Sequence, residues 1–306
     1  MTTLPALPLH SLFTRLEPLL ARVSKPIQYV GGEHNSVVKE WDSVDVRWCL
    51  SYPDAYEVGQ PNQGVAILYE ILNEREWILA ERTYCVWPDM EAQMRQAGVP
   101  QFTLDAHRPV GMFDVLGVSF STELGYTNLL NIIDLAGMTL HAADRLDNEP
   151  IVVAGGHAAF NPEPIADFID VAVLGDGEEA SLLISDIIRE WKLDAREGGR
   201  DGLLLRLAST GAFYVPRFYD VDYLDDGRIQ RIAPNREGVP FQVRKHTLMN
   251  LDEWPYPQHP IVPMAETVHE RYSVEIFRGC TRGCRFCQAG MITRPERERS
   301  IETIGA

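Results

Sequence analysis

Between positions 44 and 191 the chain alternates short apolar runs with longer amphipathic stretches. The apolar runs are 44–51 (VDVRWCLS), 78–86 (ILAERTYCV), 113–120 (FDVLGVSF), 150–156 (PIVVAGG) and 170–175 (DVAVLG). Their length, their β-branched and aromatic content and the turn residues around them predict five strands. Between them the spacing predicts helices over 63–73, 88–98, 124–137 and 178–191; the second has Pro near its start and Gly at its end. Ahead of this block, Leu9, Leu12, Phe13, Leu16, Leu19 and Leu20 recur at helical spacing, with Pro18 expected to kink or restart that helix. After Trp191 comes a polar stretch (KLDAREGGRDG), then strand-like pieces (AFYVP, FYDVDY, RIQRI, FQVRK) split by turn signals. A proline-dense segment at 254–260 is expected to be extended, and 272–277 (YSVEIF) reads as one further strand.

Strands that are mostly apolar runs rather than strict alternations, interleaved with helices, belong to a parallel sheet covered on both faces. The expected class is therefore α/β with a doubly wound parallel sheet. Four regions follow: an N-terminal helical segment (1–40), the α/β domain (41–191), a β-rich connector (192–262) and a last segment (263–306). Ligands of such sheets sit at the carboxyl ends of the strands. The loops there contain Ser119, Ser121, Gly155, Gly156, Gly175 and Gly177. Their glycines either let a ligand approach the backbone or simply make tight turns.

Composition narrows the setting. No apolar run is long enough to span a bilayer, so no membrane partner is expected. Of 306 residues, 28 are basic and 44 acidic, a net charge of −16 that gives no general attraction to nucleic acid or anionic lipid. Five cysteines, three of them clustered, point to a reducing compartment, the cytoplasm, and to a metal or redox site rather than a disulfide scaffold.

The cluster is CTRGCRFC, in which Cys280, Cys284 and Cys287 are spaced C-x3-C-x2-C directly after the predicted strand. Thiolates are the usual protein ligands of iron–sulfur clusters, and three of them leave one iron of a cubane open to a small molecule. A structural zinc site is the alternative; it needs a fourth ligand. His259 and His269 are the nearest histidines, without zinc-finger spacing.

This spacing, with the aromatic Phe286 before the last cysteine, resembles the cluster loop of the radical S-adenosylmethionine (SAM) superfamily. The upstream stretches FDVLGVSFSTELGYTNLLNIIDLAG and VAGGHAAFNPEPIADFIDVAVLGDGEE are similar to the cobalamin-binding-type domain that precedes many radical SAM barrels. The resemblance covers about 26–190 and 270–300 and is to B12-binding-domain-containing radical SAM proteins. It implies a [4Fe–4S] cluster on Cys280, Cys284 and Cys287, SAM on the open iron with Phe286 near its adenine, and an electron donor such as flavodoxin or ferredoxin. Cobalamin is left open, against the loops of Ser119, Ser121, Gly155, Gly156, Gly175 and Gly177. The implied activity is reductive cleavage of SAM. Methyl transfer follows if cobalamin binds; if it does not, methylthiolation or another radical modification of RNA is the alternative. A non-catalytic zinc or electron-transfer module is the reading from a different class.

Two departures bear on this. The first loop, SYPDAYEVG, lacks the D-x-H-x-x-G histidine that ligates cobalt, and DAHRPVG (105–111) is misplaced and one residue too long to replace it. A full barrel takes on the order of 200 residues, so the last segment holds only the start of one. The chain reads as the N-terminal part of a longer protein, expected to be inactive by itself, with its last segment poorly anchored. Weaker features have bland readings: Cys49 and Cys85 as buried small hydrophobes, His157 as a loop histidine, Asp54 and Glu57 as turn and capping groups, and RPERER (294–299) as a solvated loop.

Overall fold

The computed structural model describes residues 7–305. The first six positions of the N-terminal segment, and Ala306, lie outside the described residues. Helix α1 (Phe13–Leu20) passes through Pro18 without restarting. Leu16 and Leu19 are buried against Met90 and Met94, and this contact outweighs the one backbone hydrogen bond that proline removes. The central domain follows as β1 (Val46–Ala55), α2 (Tyr56–Gly59), α3 (Gln63–Asn73), β2 (Ile78–Cys85), α4 (Pro88–Ala97), β3 (Val115–Ser119), α5 (Tyr126–Leu135), β4 (Ile151–Gly155), β5 (Val171–Ala172) and α6 (Glu178–Leu193).

The five strands form one wholly parallel sheet in the order β2-β1-β3-β4-β5. This is the doubly wound α/β class, in the flavodoxin-like order. Local signals explain the elements. Asn62 caps α3 by accepting from the Val65 amide at 3.0 Å. Pro88 opens α4, and Gly98 closes it at φ +62°. The Trp48 indole donates to Ser185 at 2.9 Å and fastens α6 across the sheet. No helix among the described residues is long and apolar enough to cross a membrane.

Three expectations are corrected. The connector is not mainly β: it opens with a helix, α7 (Gly199–Ser209), then the hairpin of β6 (Tyr219–Tyr223) and β7 (Ile229–Pro234). Glycines at 198, 199 and 202 hid α7, yet Leu203, Leu204 and Leu207 are buried and hold it. The AFYVP and FQVRK pieces form no strands of their own. Instead Tyr214 bridges Ala172 on the outer edge of β5, and His246, just past FQVRK, bridges Gly175 in the loop beyond it. On the opposite edge the Leu104 amide donates to the Arg82 carbonyl at 2.7 Å. Finally, of 272–277 only Phe277 is a strand residue: β8 (Phe277–Arg278) pairs antiparallel with β9 (Arg297–Glu298), beyond the one-turn helix α8 (Ala289–Ile292) and before α9 (Ile301–Gly305). Ile276 accepts from the Arg299 amide at 2.9 Å just past β9, but among the described residues no strand pairs with 272–275, and Val274 and Ile276 stay exposed.

The domain also buries charge. The Arg82 guanidinium lies 2.6 Å from Glu33 and 2.8 Å from Asp105, with all three side chains at most 3% exposed. Glu81 pairs with Arg108, and Arg145 and Arg200 share Asp170. The DAHRPVG stretch is spent on this network: Asp105 and Arg108 are two of its members, and His107 is buried with Nε2 3.0 Å from the Tyr29 carbonyl. Removing one partner of such a group leaves an uncompensated buried charge. Arg82→Met should therefore cost about 3–5 kcal/mol. Lys25→Ala, at the half-exposed Lys25–Glu57 pair, should cost about 0–1 kcal/mol. Urea midpoints at constant m-value check the difference.

Candidate functional site

A cavity of about 480 Å³ opens at the carboxyl ends of the strands. Its floor is apolar, from Trp48, Leu50, Val153 and Val173 on the sheet side and Leu68 and Ile184 on the helices. Ser119, Ser121, Gly155, Gly156, Gly175 and Gly177 all line it. His157, exposed at the start of the loop after β4, lines it too.

The four glycines differ in what they face. Gly156 (φ +89°) holds the left-handed region, and a Cβ there would meet the Phe120 carbonyl at 2.4 Å. Gly175 (φ +104°) would meet the His246 carbonyl at 2.0 Å, and Gly177 the Leu68 side chain at 3.2 Å. At these three the close approach is made by the protein itself. At Gly155 the nearest atom to an added Cβ is the Val118 carbonyl at 3.9 Å, so the backbone faces open space.

The far wall comes from the last segment. Glu275, Arg278, Gly279, Thr293 and Arg297 line the same cavity, so it lies between the α/β domain and the stretch that carries the cysteines. A set of ion pairs closes this arrangement. Arg278, two residues before Cys280, donates to Glu178 at 2.5 Å, to Asp176 at 3.3 Å and to Glu275 at 2.7 Å. Arg297 pairs with Asp176 and donates to the Leu248 carbonyl at 2.9 Å. Arg299 binds Glu275 at 2.7 Å. Burial alone would lower the Arg278 pKa, but Glu275 and Glu178 outweigh it and hold the guanidinium charged, above its ordinary value.

RPERER is only in part a solvated loop: Arg294, Pro295, Glu296 and Glu298 are exposed, while Arg297 and Arg299 are buried with their donors spent on carboxylates and carbonyls. These pairs tie the last segment to the α/β domain, while Val274, Ile276 and Phe277 stay exposed. Asp176, Glu178, Glu275 and Arg278 did not stand out in the sequence, though an acidic GDGEE loop and arginines flanking a cysteine motif are complementary charges that could have paired them.

The cysteines share one loop, which turns at Gly279 (φ +95°) and Gly283 (φ +70°). Cys280 and Cys287 are half-buried, Cys284 is exposed, and none is in a disulfide. Cys287 Sγ accepts from the Gly290 amide at 3.3 Å, and Phe286 stands 92% exposed. Among the described residues no three His, Cys, Asp or Glu side chains already converge as a metal group. The donor set still fits an iron–sulfur cluster: three free thiols on a short glycine-hinged loop. His259 and His269 line a different cavity. Cys49 is fully buried, and burial pushes the Cys85 thiol up to about 12, so neither is poised to be a thiolate ligand. Glu57 is bound by Lys25 at 2.9 Å and Gln28 at 2.7 Å and ties down the N-terminal segment.

The family described as "Radical SAM proteins, N-terminal" matches residues 64–216, half of the chain. The chain belongs to this family. An uncharacterized protein of Methanocaldococcus jannaschii is 27% identical over 218 residues, which are 70% of this chain and 38% of that protein. Among solved structures, the cobalamin-dependent S-adenosylmethionine radical enzyme OxsB, with aqua-cobalamin and S-adenosylmethionine bound, is similar over 84% of this chain and 30% of its own. That overlay has a TM-score of 0.45 at 16% identity. This radical SAM chain therefore spans well under half the length of the relatives it matches.

The glycine geometry makes a direct prediction. Gly155→Val should fold with a melting temperature close to that of the parent while narrowing the cavity. Gly156→Val forces both a left-handed backbone and a clash, and should melt well below it, by about 5 °C or more. Calorimetric melting curves of the two variants are the check.

Proposed function

We propose that this chain is the N-terminal part of a radical SAM enzyme. In this reading Cys280, Cys284 and Cys287 hold a [4Fe–4S] cluster, and the cavity above β3, β4 and β5 receives the group on which the radical chemistry acts or depends. The observation that carries it is the shared cavity: one wall is the ligand-binding edge of a doubly wound sheet, and the other is the backbone on either side of the cysteine loop. A cluster held by Cys280, Cys284 and Cys287 would supply one electron for reductive cleavage of the S–C5′ bond of SAM, with methionine as the leaving group, and an external donor such as flavodoxin or ferredoxin would restore that electron.

The residues of this chain have positioning roles. The three thiolates each contribute one ligand that no neighbour can replace. Gly279 and Gly283 let the loop curl, and the salt bridges of Arg278 and Arg297 hold it against Asp176 and Glu178. Lys245 donates to the Ile292 carbonyl at 3.0 Å and steadies the loop's far end. Phe286 is free to pack on an adenine. The apolar floor excludes water from the reacting group.

Cobalamin is the first reading for the cavity's occupant. The parallel sheet and the free backbone of Gly155 favour it. No histidine on the loop after β1 would lie beneath the cobalt, so the corrin would be held without that ligand. Methyl transfer is the matching reaction; methylthiolation or another radical modification of RNA is the reading without cobalamin.

Anaerobic reconstitution of the full-length protein tests the cluster. Alanine at Cys280, Cys284 or Cys287 should each abolish stable iron loading, and Cys85→Ala should leave it and its spectral response to SAM unchanged. Full iron content in Cys284→Ala, or stoichiometric zinc in place of iron, would overturn the assignment. Equilibrium dialysis with hydroxocobalamin tests the cavity: Gly155→Val should weaken binding about tenfold or more, and undiminished binding would put the corrin elsewhere.

A further inference from the structure

We propose that the three exposed arginines of the cysteine loop, Arg282, Arg285 and Arg294, form the docking surface for a small acidic one-electron carrier protein. This rests on the iron–sulfur reading above and adds the face through which a cluster held there is reduced. The loop is electrically unlike the rest of the chain. The protein has 44 acidic and 28 basic residues, yet positions 276–295 hold four arginines and no acid. Arg278 is spent on Asp176, Glu178 and Glu275. Arg282, Arg285 and Arg294 are exposed, and among the described residues none of them is in an ion pair.

The sequence puts two of these charges on either side of Cys284, and the fold brings the third. Arg294 lies beyond α8, but its Nε donates back to the Cys280 carbonyl at 3.3 Å, and its Nη2 lies 3.2 Å from where a Cβ on Gly283 would sit. Three unpaired guanidiniums are thus gathered on the turn that carries Cys284, the exposed member of the three cysteines. Electron transfer slows steeply with distance, so the side of the loop with the exposed thiol is the one a carrier has to reach. The step moves one electron from the reduced carrier to the oxidised cluster; no bond is made or broken and no proton moves.

Charge selects the partner. A chain of net charge −16 repels an acidic protein from most of its surface, so an unpaired basic patch both attracts and orients it. A few charges on one loop make a weak, short-lived contact, the class to which electron-transfer encounters belong, and they act on the rate of association more than on affinity. RNA is the other polyanion that arginines attract. Its backbone carries a charge at every nucleotide, and it would run from the patch onto exposed acids on either side in the sequence, Glu266 and Glu270 before and Glu296 and Glu298 after. A compact acidic face avoids them.

Stopped-flow reduction of the full-length protein, reconstituted anaerobically, is the test. The reductants are a reduced acidic flavodoxin and, separately, reduced methyl viologen, a small cation that the patch does not attract. The flavodoxin rate constant should fall about tenfold or more as salt rises from about 0.05 to 0.5 M. Arg282→Gln, Arg285→Gln and Arg294→Gln in one chain should lower it by a similar factor at low salt and flatten its salt dependence, with iron content and the methyl viologen rate at parental values. Should Arg294→Gln loosen the loop, the Arg282→Gln, Arg285→Gln pair decides. A flavodoxin rate unchanged in these variants, or independent of salt in the parent, would overturn the proposal. So would loss of iron from the double variant, or equal slowing with methyl viologen, since the arginines would then build the loop or tune the cluster. Binding of a single-stranded RNA oligonucleotide that the variants lose while the flavodoxin rate stays would assign the surface to RNA. A parent that assembles no cluster would bring down the iron–sulfur reading itself, and this proposal with it.

Discussion

The arrangement of the site depends on one set of ion pairs. Arg278 sits next to Gly279 at the entrance to the cysteine loop and reaches two carboxylates of the α/β domain, Asp176 and Glu178, while Glu275 steadies it from its own segment. Without these contacts nothing in β8, a strand of two residues, would fix the loop over the sheet. The same Asp176 receives Arg297 and the Leu248 amide, so one carboxylate joins the sheet's last loop, the connector and both sides of the cysteine loop. These groups are at most 16% exposed on their side chains, and their mutual attraction is screened far less than that of surface pairs.

The pairing changes the meaning of the GDGEE loop. In a doubly wound sheet, a glycine-rich loop after the last strand reads as a ligand contact. Here Gly175 makes room for the His246 backbone and Gly177 for Leu68, while the acids on the loop hold the arginines. The part of the rim left for a ligand is the β3 and β4 side, Ser119, Ser121 and Gly155, together with the wall contributed by the last segment.

Much of the α/β domain was legible because its signals are local. Apolar runs, the Asn62 cap and the Pro88 to Gly98 frame each declare an element within a dozen residues, and α3 begins and ends where its periodicity does. Helix α7 was not legible because three glycines mask its first half, and its stability comes from burying leucines against the domain. The buried pairs Arg82–Asp105 and Arg278–Glu178 were invisible for a different reason: partners far apart in sequence carry no spacing rule, and each residue alone reads as surface charge. The cysteine motif was the clearest chemical signal, since three thiols within eight residues can be read without knowing the fold. The strand expected just before it is cut short because a strand needs a neighbour: the pairing with β9 ends at the Ile276–Arg299 bond, and no described strand continues it along 272–275.

The sheet is guarded on both flanks. Tyr214 meets the outer side of β5 and His246 the loop beyond it, and the stretch around Leu104 meets the outer side of β2. An open flank of parallel strands is a template for any extended peptide, and it invites aggregation and exchange of strands between copies. With both flanks met by its own irregular backbone, the central sheet offers less free edge for strand addition. The cover on β5 comes from the connector, so a truncation ending at residue 191 would strip it away and convert a self-contained sheet into one with an adhesive margin.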